Sequence, residues 1–451
     1  MSLLKKLPYI IEKGQSEYKE IMDSNCDDSL LLVERVGNQS ENLIVNSENA
    51  EFMKYLMTKK EMQGKFDFIY IDPPFYSNTD YVTNIKIDSE KMGSKHLIKQ
   101  HSYHDTWENG MEEYLIMLTT RFYMMKDLLA ETGSFAVHLD WHGVHYVKIL
   151  LDEIFGEKNF INEVIWQYKS GGVSKRYFAR KHDNILIYGK TNKYFFEAQK
   201  EKSYNRGYKP YRFKGVKEYK DEVGWHTMVS MKDVFSIDMV GRTSAERTGY
   251  ATQKPEALIE RILLSCTKES DLVGDFFAGS STVAATCEKL GRKWICCDMA
   301  KSAIMKSVPR LYQIGANFDH LEDQNLTYIF RNDLITNNSL MAELGNDKME
   351  ITIELMEYVN ESFDSMPVDY KYLNQLIEIA KNDSTMLIDY YSIDYNYDGN
   401  VFKPDSFVVR EKGILPKTVT FIANRNNIIA LRAVDVFGNM IFKTIDIREL
   451  N

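Results

Sequence analysis

The residues of this chain most suited to chemistry form a tetrapeptide, Asp72-Pro73-Pro74-Phe75, which directly follows the apolar run FDFIYI at 66–71. The carboxylate of Asp72 and the backbone carbonyl of Pro73 can each accept a hydrogen bond from one amine, which aims its lone pair at an electrophile. The prolines restrict the turn, and the ring of Phe75 offers a flat face for stacking. These residue types could therefore bind and activate a planar amine, although Asp-Pro-Pro at the end of a strand is by itself also a common structural turn.

A second candidate site is the segment DFFAGSS at 275–281, which ends an apolar run and opens a helix-like stretch. Its small residues let a ligand approach the backbone closely, and the carboxyl ends of parallel strands are where nucleoside cofactors bind. Asp298 ends the next apolar run, KWICCD at 293–298, where an acid can accept hydrogen bonds from ribose hydroxyls. A structural glycine turn and a helix-capping acid are the alternatives. No Lys-Ser/Thr follows the glycine, which argues against a nucleotide triphosphatase.

A lysine precedes this segment by one predicted helix. Lys254 lies in TQKP at 252–255, and Pro255 suits the first turn of the helix that follows. From that position the ammonium group of Lys254 could face a carboxylate of the same ligand.

Strand-like and helix-like patterns alternate around these residues. FDFIYI is apolar at nearly every position, as is typical of a strand buried on both faces in a parallel sheet. The predicted strands are 42–46, 66–71, 134–140, 271–277 and 293–298. The predicted helices are 48–60, 112–130, 144–155, 255–267 and 280–290. This alternation predicts a doubly wound α/β sheet.

Between the two motifs lies a basic, aromatic-rich region. Residues 162–172 and 182–190 resemble two strands of an antiparallel pair. From Lys169 to Lys220 there are fifteen lysines and arginines against four acids, a local net charge of +11 in a chain whose total is −9. Aromatic residues interleave with these cations, a combination that suits phosphate contact and base stacking, although a solvated loop with incidental charge is the alternative.

Composition narrows the class of protein. The chain has 451 residues with 44% hydrophobic and 27% charged residues, as expected of a globular protein with about three domains. The five cysteines show no metal-binding spacing, and His138, His142 and His145 come with no zinc-like ligand set, so no metal is expected. The chain also shows no signal-peptide or membrane-spanning pattern, so we expect a reduced, cytoplasmic protein with no membrane partner.

The two motifs and their order resemble the β class of DNA amino-methyltransferases, which modify adenine N6 or cytosine N4. In that class the catalytic tetrapeptide precedes the loop that binds S-adenosylmethionine. The resemblance extends through NLIVNSENAEFMKYL at 42–56, GSFAVHLDWHGVHYVKILLDEIFG at 133–156 and DVFSIDMVGRTSAERTGYATQKP at 233–255, and covers roughly residues 42–305. Together with 159–190, these segments most resemble type III restriction–modification modification enzymes and their stand-alone relatives.

The resemblance implies a role for each candidate residue. Asp72, Pro73, Pro74 and Phe75 would be catalytic, acting on a base flipped out of duplex DNA. The residues that would bind S-adenosylmethionine are Lys254, Phe277, Gly279, Ser281 and Asp298. The candidate phosphate contacts are Arg176, Arg180 and Lys181. Two positions depart from the family pattern: Phe75 replaces the usual tyrosine, and Ser281 replaces a glycine, which a serine tolerates if φ is negative.

The resemblance also implies a domain order, in which the catalytic half of the methyltransferase fold comes first. The predicted parts are a helical N-terminal extension at 1–41, a catalytic half at 42–164, a β-hairpin and target recognition region at 165–250, a cofactor half at 251–325, and a small α+β domain at 330–451. The predicted function is site-specific methylation of adenine N6 in duplex DNA.

Other functions remain open from the sequence. The chain could be a cytosine-N4 enzyme, a methyltransferase acting on RNA or a protein amide, or a DNA-binding module that has lost the cofactor. It could also be a modification subunit with a restriction or helicase partner, or a homodimer.

Overall fold

In the computed structural model the described residues are 2–26, 29–89, 94–169, 173–326, 332–345, 347–360, 370–411 and 413–450. The helices found within them are α1 (Leu3–Asp23), α2 (Asn49–Thr58), α3 (Met111–Leu128), α4 (Val144–Leu151), α5 (Glu256–Cys266), α6 (Thr282–Leu290), α7 (Lys301–Gln313) and α8 (Tyr370–Asp383). The strands of the first half are β1 (Leu30–Val36), β2 (Leu43–Asn46), β3 (Phe66–Ile71), β4 (Thr79–Ser89), β5 (Ser94–Asp105), β6 (Leu129–Leu139), β7 (Phe160–Gln167), β8 (His182–Gly189), β9 (Lys200–Tyr204), β10 (Glu218–Lys220) and β11 (Trp225–Ser230). Those of the second half are β12 (Val234–Ser236), β13 (Leu272–Asp275), β14 (Lys293–Asp298), β15 (Phe318–Asp323), β16 (Asn332–Gly345), β17 (Lys348–Asn360), β18 (Ile388–Asp394), β19 (Ser406–Val409), β20 (Thr418–Asn424), β21 (Ile428–Asp435) and β22 (Met440–Asp446).

Ten strands form one central sheet in the order β1-β15-β2-β14-β13-β3-β6-β8-β7-β12. The six strands from β15 to β6 run parallel to one another, which brings their carboxyl ends to a single edge. β8 is antiparallel to both β6 and β7, so the antiparallel pair predicted at 162–172 and 182–190 is present. Residues 170–172 of that prediction lie outside the described residues.

The two faces of the sheet carry separate cores, as the apolar strands predict. On one face, Phe66, Ile69 and Ile71 of β3 pack in a cluster with buried residues of α1, α2, α3 and α4. On the other face, Phe68 and Tyr70 pack in a cluster with α5, α6 and α7. Because both faces are covered by helices, the doubly wound α/β fold is confirmed.

The N-terminal prediction is wrong in one part. Residues 1–41 were expected to be a helical extension, but after α1 the chain forms β1, which pairs antiparallel with β15 at the edge of the central sheet. The local sequence of β1 does not indicate a strand, because the strand with which β1 pairs lies almost three hundred residues further along the chain. Glu34 and Val36 of this strand are buried against that partner strand and its neighbours.

The predicted target recognition region at 165–250 divides between two sheets. β7, β8 and the short β12 belong to the central sheet, whereas β9, β10 and β11 form a separate three-stranded antiparallel sheet. This small sheet exposes the rings of Tyr204, Tyr208, Tyr211 and Phe213 on and beside its strands. Its role in target recognition stays a proposal.

A long hairpin, β4 and β5, follows the tetrapeptide at 72–75 and was not predicted from the sequence. Ile85, Ile87 and Ile98 of this hairpin pack into the core of the C-terminal region. That region has one sheet in the order β16-β17-β20, another in the order β19-β18-β21-β22, and the helix α8. It is therefore α+β, as predicted, although residues 330 and 331 at its predicted start lie outside the described residues. No helix in the described ranges is long and apolar enough to cross a membrane.

Candidate active site

The sequence motifs meet at the carboxyl edge of the parallel strands. β3 ends immediately before Asp72, β13 ends at Asp275 and β14 ends at Asp298, and these strands are neighbours in the sheet. A cavity of 520 Å³ opens there. The predicted site residues that line it are Asp72, Pro74, Lys254, Phe277, Gly279 and Asp298. Adjacent parallel strands thus bring together motifs about two hundred residues apart.

Asp72 offers one bonded and one unbonded oxygen. Its Oδ2 forms an ion pair with the ammonium group of Lys254. Its Oδ1 is buried and has no hydrogen-bond partner among the described residues. The Lys254 Nζ atom also lies 5.1 Å from the centre of the Phe75 ring. Lys254 was expected to face a ligand carboxylate; it lies in the cavity, but the carboxylate that it contacts is Asp72.

Side chains from two elements bind the backbone at the end of the tetrapeptide and at the residue that follows it. The hydroxyl of Tyr114 on α3 donates to the carbonyl of Pro74 at 2.8 Å. Asp105, at the end of the β4–β5 hairpin, accepts from the backbone N–H of Tyr76 at 3.0 Å and from the indole N–H of Trp107 at 3.0 Å. Trp107 in turn lines the cavity. The only sequence signal for this residue is an isolated tryptophan in HDTWENG at 104–110.

Phe75 rests on a buried polar chain. Its ring centre lies 5.8 Å from that of His138, with the two planes 31° apart. His138 Nδ1 is 2.7 Å from the hydroxyl of Tyr70, which lines the cavity, and His138 Nε2 is 3.3 Å from Asp183 Oδ2. Burial, followed by the charge of Asp72, raises the pKa of the Tyr70 hydroxyl well above its ordinary value. His138 itself is fully buried.

The glycine turn is linked to Asp298 by a hydrogen bond. Gly279 has φ +51°, and a Cβ atom there would lie 3.2 Å from the ring of Tyr250. The Gly279 N–H donates to Asp298 Oδ2 at 2.8 Å, while the N–H of Ala300 donates to Asp298 Oδ1 at 2.8 Å. Burial raises the pKa of Asp298 and raises that of Asp275 well above its ordinary range. Each Asp298 oxygen still has a lone pair for a further donor.

Ser281 does not match its predicted role. It is fully buried behind the turn and does not line the cavity, and its Oγ donates to Ser307 Oγ at 2.7 Å. Its φ is +54°, in the left-handed region, rather than negative as the tolerance of a serine was expected to require. The hydrogen bond to Ser307 offsets part of the strain of a side chain in this conformation. Ser281 therefore shapes the turn from behind.

A charged cluster closes another side of the cavity and was not found from the sequence. Arg121 of α3 donates through Nε to Asn49 Oδ1 at 2.6 Å and through Nη2 to Glu48 Oε1 at 2.5 Å. All three residues line the cavity. Glu48 also accepts from the N–H of Ala50 and so caps α2 at its amino end.

The predicted phosphate contacts lie in the loop between β7 and β8. Arg176 is exposed and Lys181 is partly buried. The guanidinium carbon of Arg180 lies 3.7 Å from the centre of the Trp141 ring and 4.7 Å from that of Tyr177. None of the three cations lines the cavity, and their contact with phosphate stays a prediction. In the described ranges, no group of three or more His, Cys, Asp or Glu side chains could hold a metal ion.

This chain is similar to several proteins that have been named or solved. The type II methyltransferase M2.DpnII of Streptococcus pneumoniae is 25% identical over 292 residues, which cover 62% of this chain and 94% of that protein. The Mod subunit of the type III restriction–modification enzyme EcoP15I of Escherichia coli is 24% identical over 42% of this chain and 31% of its own length. Among solved structures, the M1.HpyAVI–SAM complex aligns with a TM-score of 0.37 at 18% identity, covering 60% of this chain and 98% of that one.

A family model described as DNA methylase matches residues 66–308, a segment that contains both the tetrapeptide and the glycine turn. The cofactor of this family is S-adenosylmethionine, and its substrate is DNA. Because the match spans more than half of the 451 residues, the chain belongs to the DNA methylase family.

Proposed function

We propose that this protein is a site-specific methyltransferase that modifies the N6 amine of adenine in duplex DNA after flipping the base out of the helix. The observation that carries the proposal is the buried Asp72 Oδ1, which has no partner among the described residues and belongs to a residue that lines the cavity shared with the glycine turn. A buried carboxylate oxygen without a donor is costly, and an incoming amine N–H would satisfy it.

The cavity suits the cofactor of the family. Its 520 Å³ volume lies in the range of about 300 to 1,000 Å³ that ligand sites occupy. Gly279 gives close access to backbone, and the second lone pairs of Asp298 suit ribose hydroxyls. Lys254, which pairs with Asp72 and lines the same cavity, is the cation that we propose for the methionine carboxylate, and Phe277 lines the wall beside the turn. When bound, S-adenosylmethionine supplies a methyl group attached to a positively charged sulfur.

The protein's own part is to position the amine. An exocyclic amine of a base is conjugated with its ring and is a poor nucleophile. Asp72 Oδ1 and the carbonyl of Pro73 would each accept one N–H, which draws the nitrogen toward tetrahedral geometry and frees its lone pair. Phe75, held against His138, would stack on the flipped base. The ion pair with Lys254 would hold the carboxylate of Asp72 in place beside the amine.

We propose adenine rather than cytosine as the target base. In the family that the sequence resembles, Asp-Pro-Pro followed by an aromatic residue, in this motif order, favours methylation of adenine N6. Cytosine N4 is the alternative, and its amine would be bound by the same two acceptors. A chain that needs a restriction or helicase partner is a further alternative, supported by the similarity to a type III Mod subunit.

The test is incubation of purified protein with S-adenosylmethionine and mixed-sequence duplex DNA, followed by nucleoside mass spectrometry. N6-methyladenine from the wild type, and none from Asp72→Ala, is expected, with cofactor binding by calorimetry retained in the variant. Asp23→Ala, an exposed carboxylate at the end of α1, is the matched control and should keep full activity. N4-methylcytosine would overturn the choice of base. If the protein binds the cofactor but no methylated base is found, the proposal that this chain methylates DNA without a partner is refuted.

A further inference from the structure

The loop between β7 and β8 carries the most exposed large apolar side chain in the described part of the molecule. Phe178 is 98% exposed, and Val173 at the start of the loop is 94% exposed. A fully solvated phenylalanine does nothing for the fold, since it contacts no core. Its exposure alone does not identify a site, so the residues around it have to indicate what it contacts.

The charges around Phe178 indicate what that molecule is. Residues 173–181 contain four cations, Lys175, Arg176, Arg180 and Lys181, and no acid. An apolar side chain surrounded by positive charge alone fits a polyanion with flat apolar surfaces, which is duplex DNA with its stacked bases.

Contacts between side chains attach this loop to the end of the central sheet. The guanidinium group of Arg180 is stacked between the rings of Trp141 and Tyr177, at 3.7 and 4.7 Å from their centres. Trp141 follows the end of β6, the strand next to the catalytic β3. The stack fixes both ends of the short segment Tyr177–Arg180, of which Phe178 is the outward-pointing member.

The position of the loop relative to Asp72 completes the argument. β3, β6 and β8 are consecutive in the sheet, and β8 begins at the edge where β3 and β6 end. With strands about 5 Å apart, the start of β8 lies about 10 Å from the strand that carries Asp72. The loop that carries Phe178 therefore enters β8 at the same edge of the sheet as the cavity into which the target base would be flipped.

We propose that Phe178 inserts into duplex DNA next to the target base and stabilises its extruded state. This inference rests on the proposed function, since an inserted side chain is needed only where a base leaves the stack of the duplex. An inserted apolar side chain replaces stacking that is lost when the base flips, while the loop cations contact the flanking phosphates. Phe178 is thus a positioning residue for the reaction at Asp72.

The experiment compares two duplexes under single-turnover conditions, after the methylated sequence has been mapped with the wild type. In one duplex the target base is paired, and in the other the opposite nucleotide is abasic, so extrusion is already favoured. Phe178→Ala should lose about 10- to 100-fold in rate on the paired duplex and stay within about 3-fold of wild type on the abasic duplex. Phe178→Leu, which keeps an apolar side chain, should restore most of the rate.

Leu4→Ala is the matched control, because Leu4 is an exposed apolar side chain on α1, outside the site. It should behave as wild type on both duplexes. Equal losses for Phe178→Ala on the two duplexes would overturn insertion and indicate general DNA contact. An unchanged rate on the paired duplex would also overturn it. A wild-type chain that methylates neither duplex would overturn the proposed function, and the insertion proposal with it.

Discussion

A buried charge cluster joins the C-terminal region to the edge of the central sheet. Glu34 of β1 is fully buried and forms an ion pair with Arg432 of β21. Glu34 Oε1 is also 2.9 Å from His320 Nδ1 on β15, and His320 Nε2 is 3.5 Å from Glu322 Oε1. Burial alone would raise the pKa of Glu34, but Arg432 and His320 more than offset it and lower the pKa to about 2.

The cost of breaking this cluster can be worked out in two ways. Lowering the pKa of Glu34 from its ordinary 4.5 to about 2 corresponds to about 3 kcal/mol of folding free energy. Removing one partner of a buried ion pair typically costs about 3 to 5 kcal/mol, because the other charge is left buried without compensation. Arg432→Met should therefore lower the free energy of unfolding by about 3 to 5 kcal/mol at pH 7.

The assay is urea unfolding of wild type and variants at a series of pH values. Because the pKa of Glu34 is lowered in the folded state, its contribution is full above about pH 4.5 and is lost as the pH falls toward 2. The difference between wild type and Arg432→Met should shrink over that range. The double variant Glu34→Gln with Arg432→Met removes both charges and should recover most of the stability.

Arg425→Met is the matched control, since it breaks an exposed pair with Glu343 and should change stability by less than about 1 kcal/mol. Two results would refute the reasoning. One is a loss below about 1 kcal/mol for Arg432→Met, and the other is a double variant as unstable as the single one.

Four further variants test the glycine turn and the hairpin. Gly279→Ala should weaken S-adenosylmethionine binding in calorimetry, because the new Cβ would lie 3.2 Å from Tyr250 at φ +51°. Ser281→Ala should lower the free energy of urea unfolding by about 1 kcal/mol, since it loses the bond to Ser307 and keeps the left-handed backbone, whereas Ser281→Gly should stay within about 1 kcal/mol of wild type. Ile87→Ala should cost about 2 to 5 kcal/mol in the same assay, through a cavity in the C-terminal core.

The central sheet was predictable because its strands are buried on both faces. FDFIYI and KWICCD leave no polar face, so each indicates a parallel strand wherever its neighbours lie, and the structure has both at the predicted residues. β1 was missed because its structure depends on pairing with β15, a contact that its local pattern does not encode. The β4–β5 hairpin was missed for a related reason: its few apolar residues pack against the distant C-terminal core.

The candidate site was predictable to the extent that chemistry dictates residue type. A carboxylate after β3, a glycine after β13 and an acid ending β14 follow from what an amine and a ribose require, and all three line one cavity. Asp105, Tyr114 and Trp107 could not be found in this way. They act on the tetrapeptide through backbone hydrogen bonds or wall contacts, which many residue types could supply from many positions.

Asp105 and the hairpin that ends with it connect the C-terminal region to the turn that follows Asp72. The hairpin begins just after the tetrapeptide, and Asp105 at its far end binds the backbone N–H groups of Tyr76 and Ser77. Between these points Ile85 and Ile87 are buried in the C-terminal core. Tyr76 has φ +61°, a conformation that its own sequence disfavours and that Asp105 helps to hold. The C-terminal region, anchored to the sheet at Glu34 and to the hairpin at Ile87, therefore braces the turn that presents Asp72.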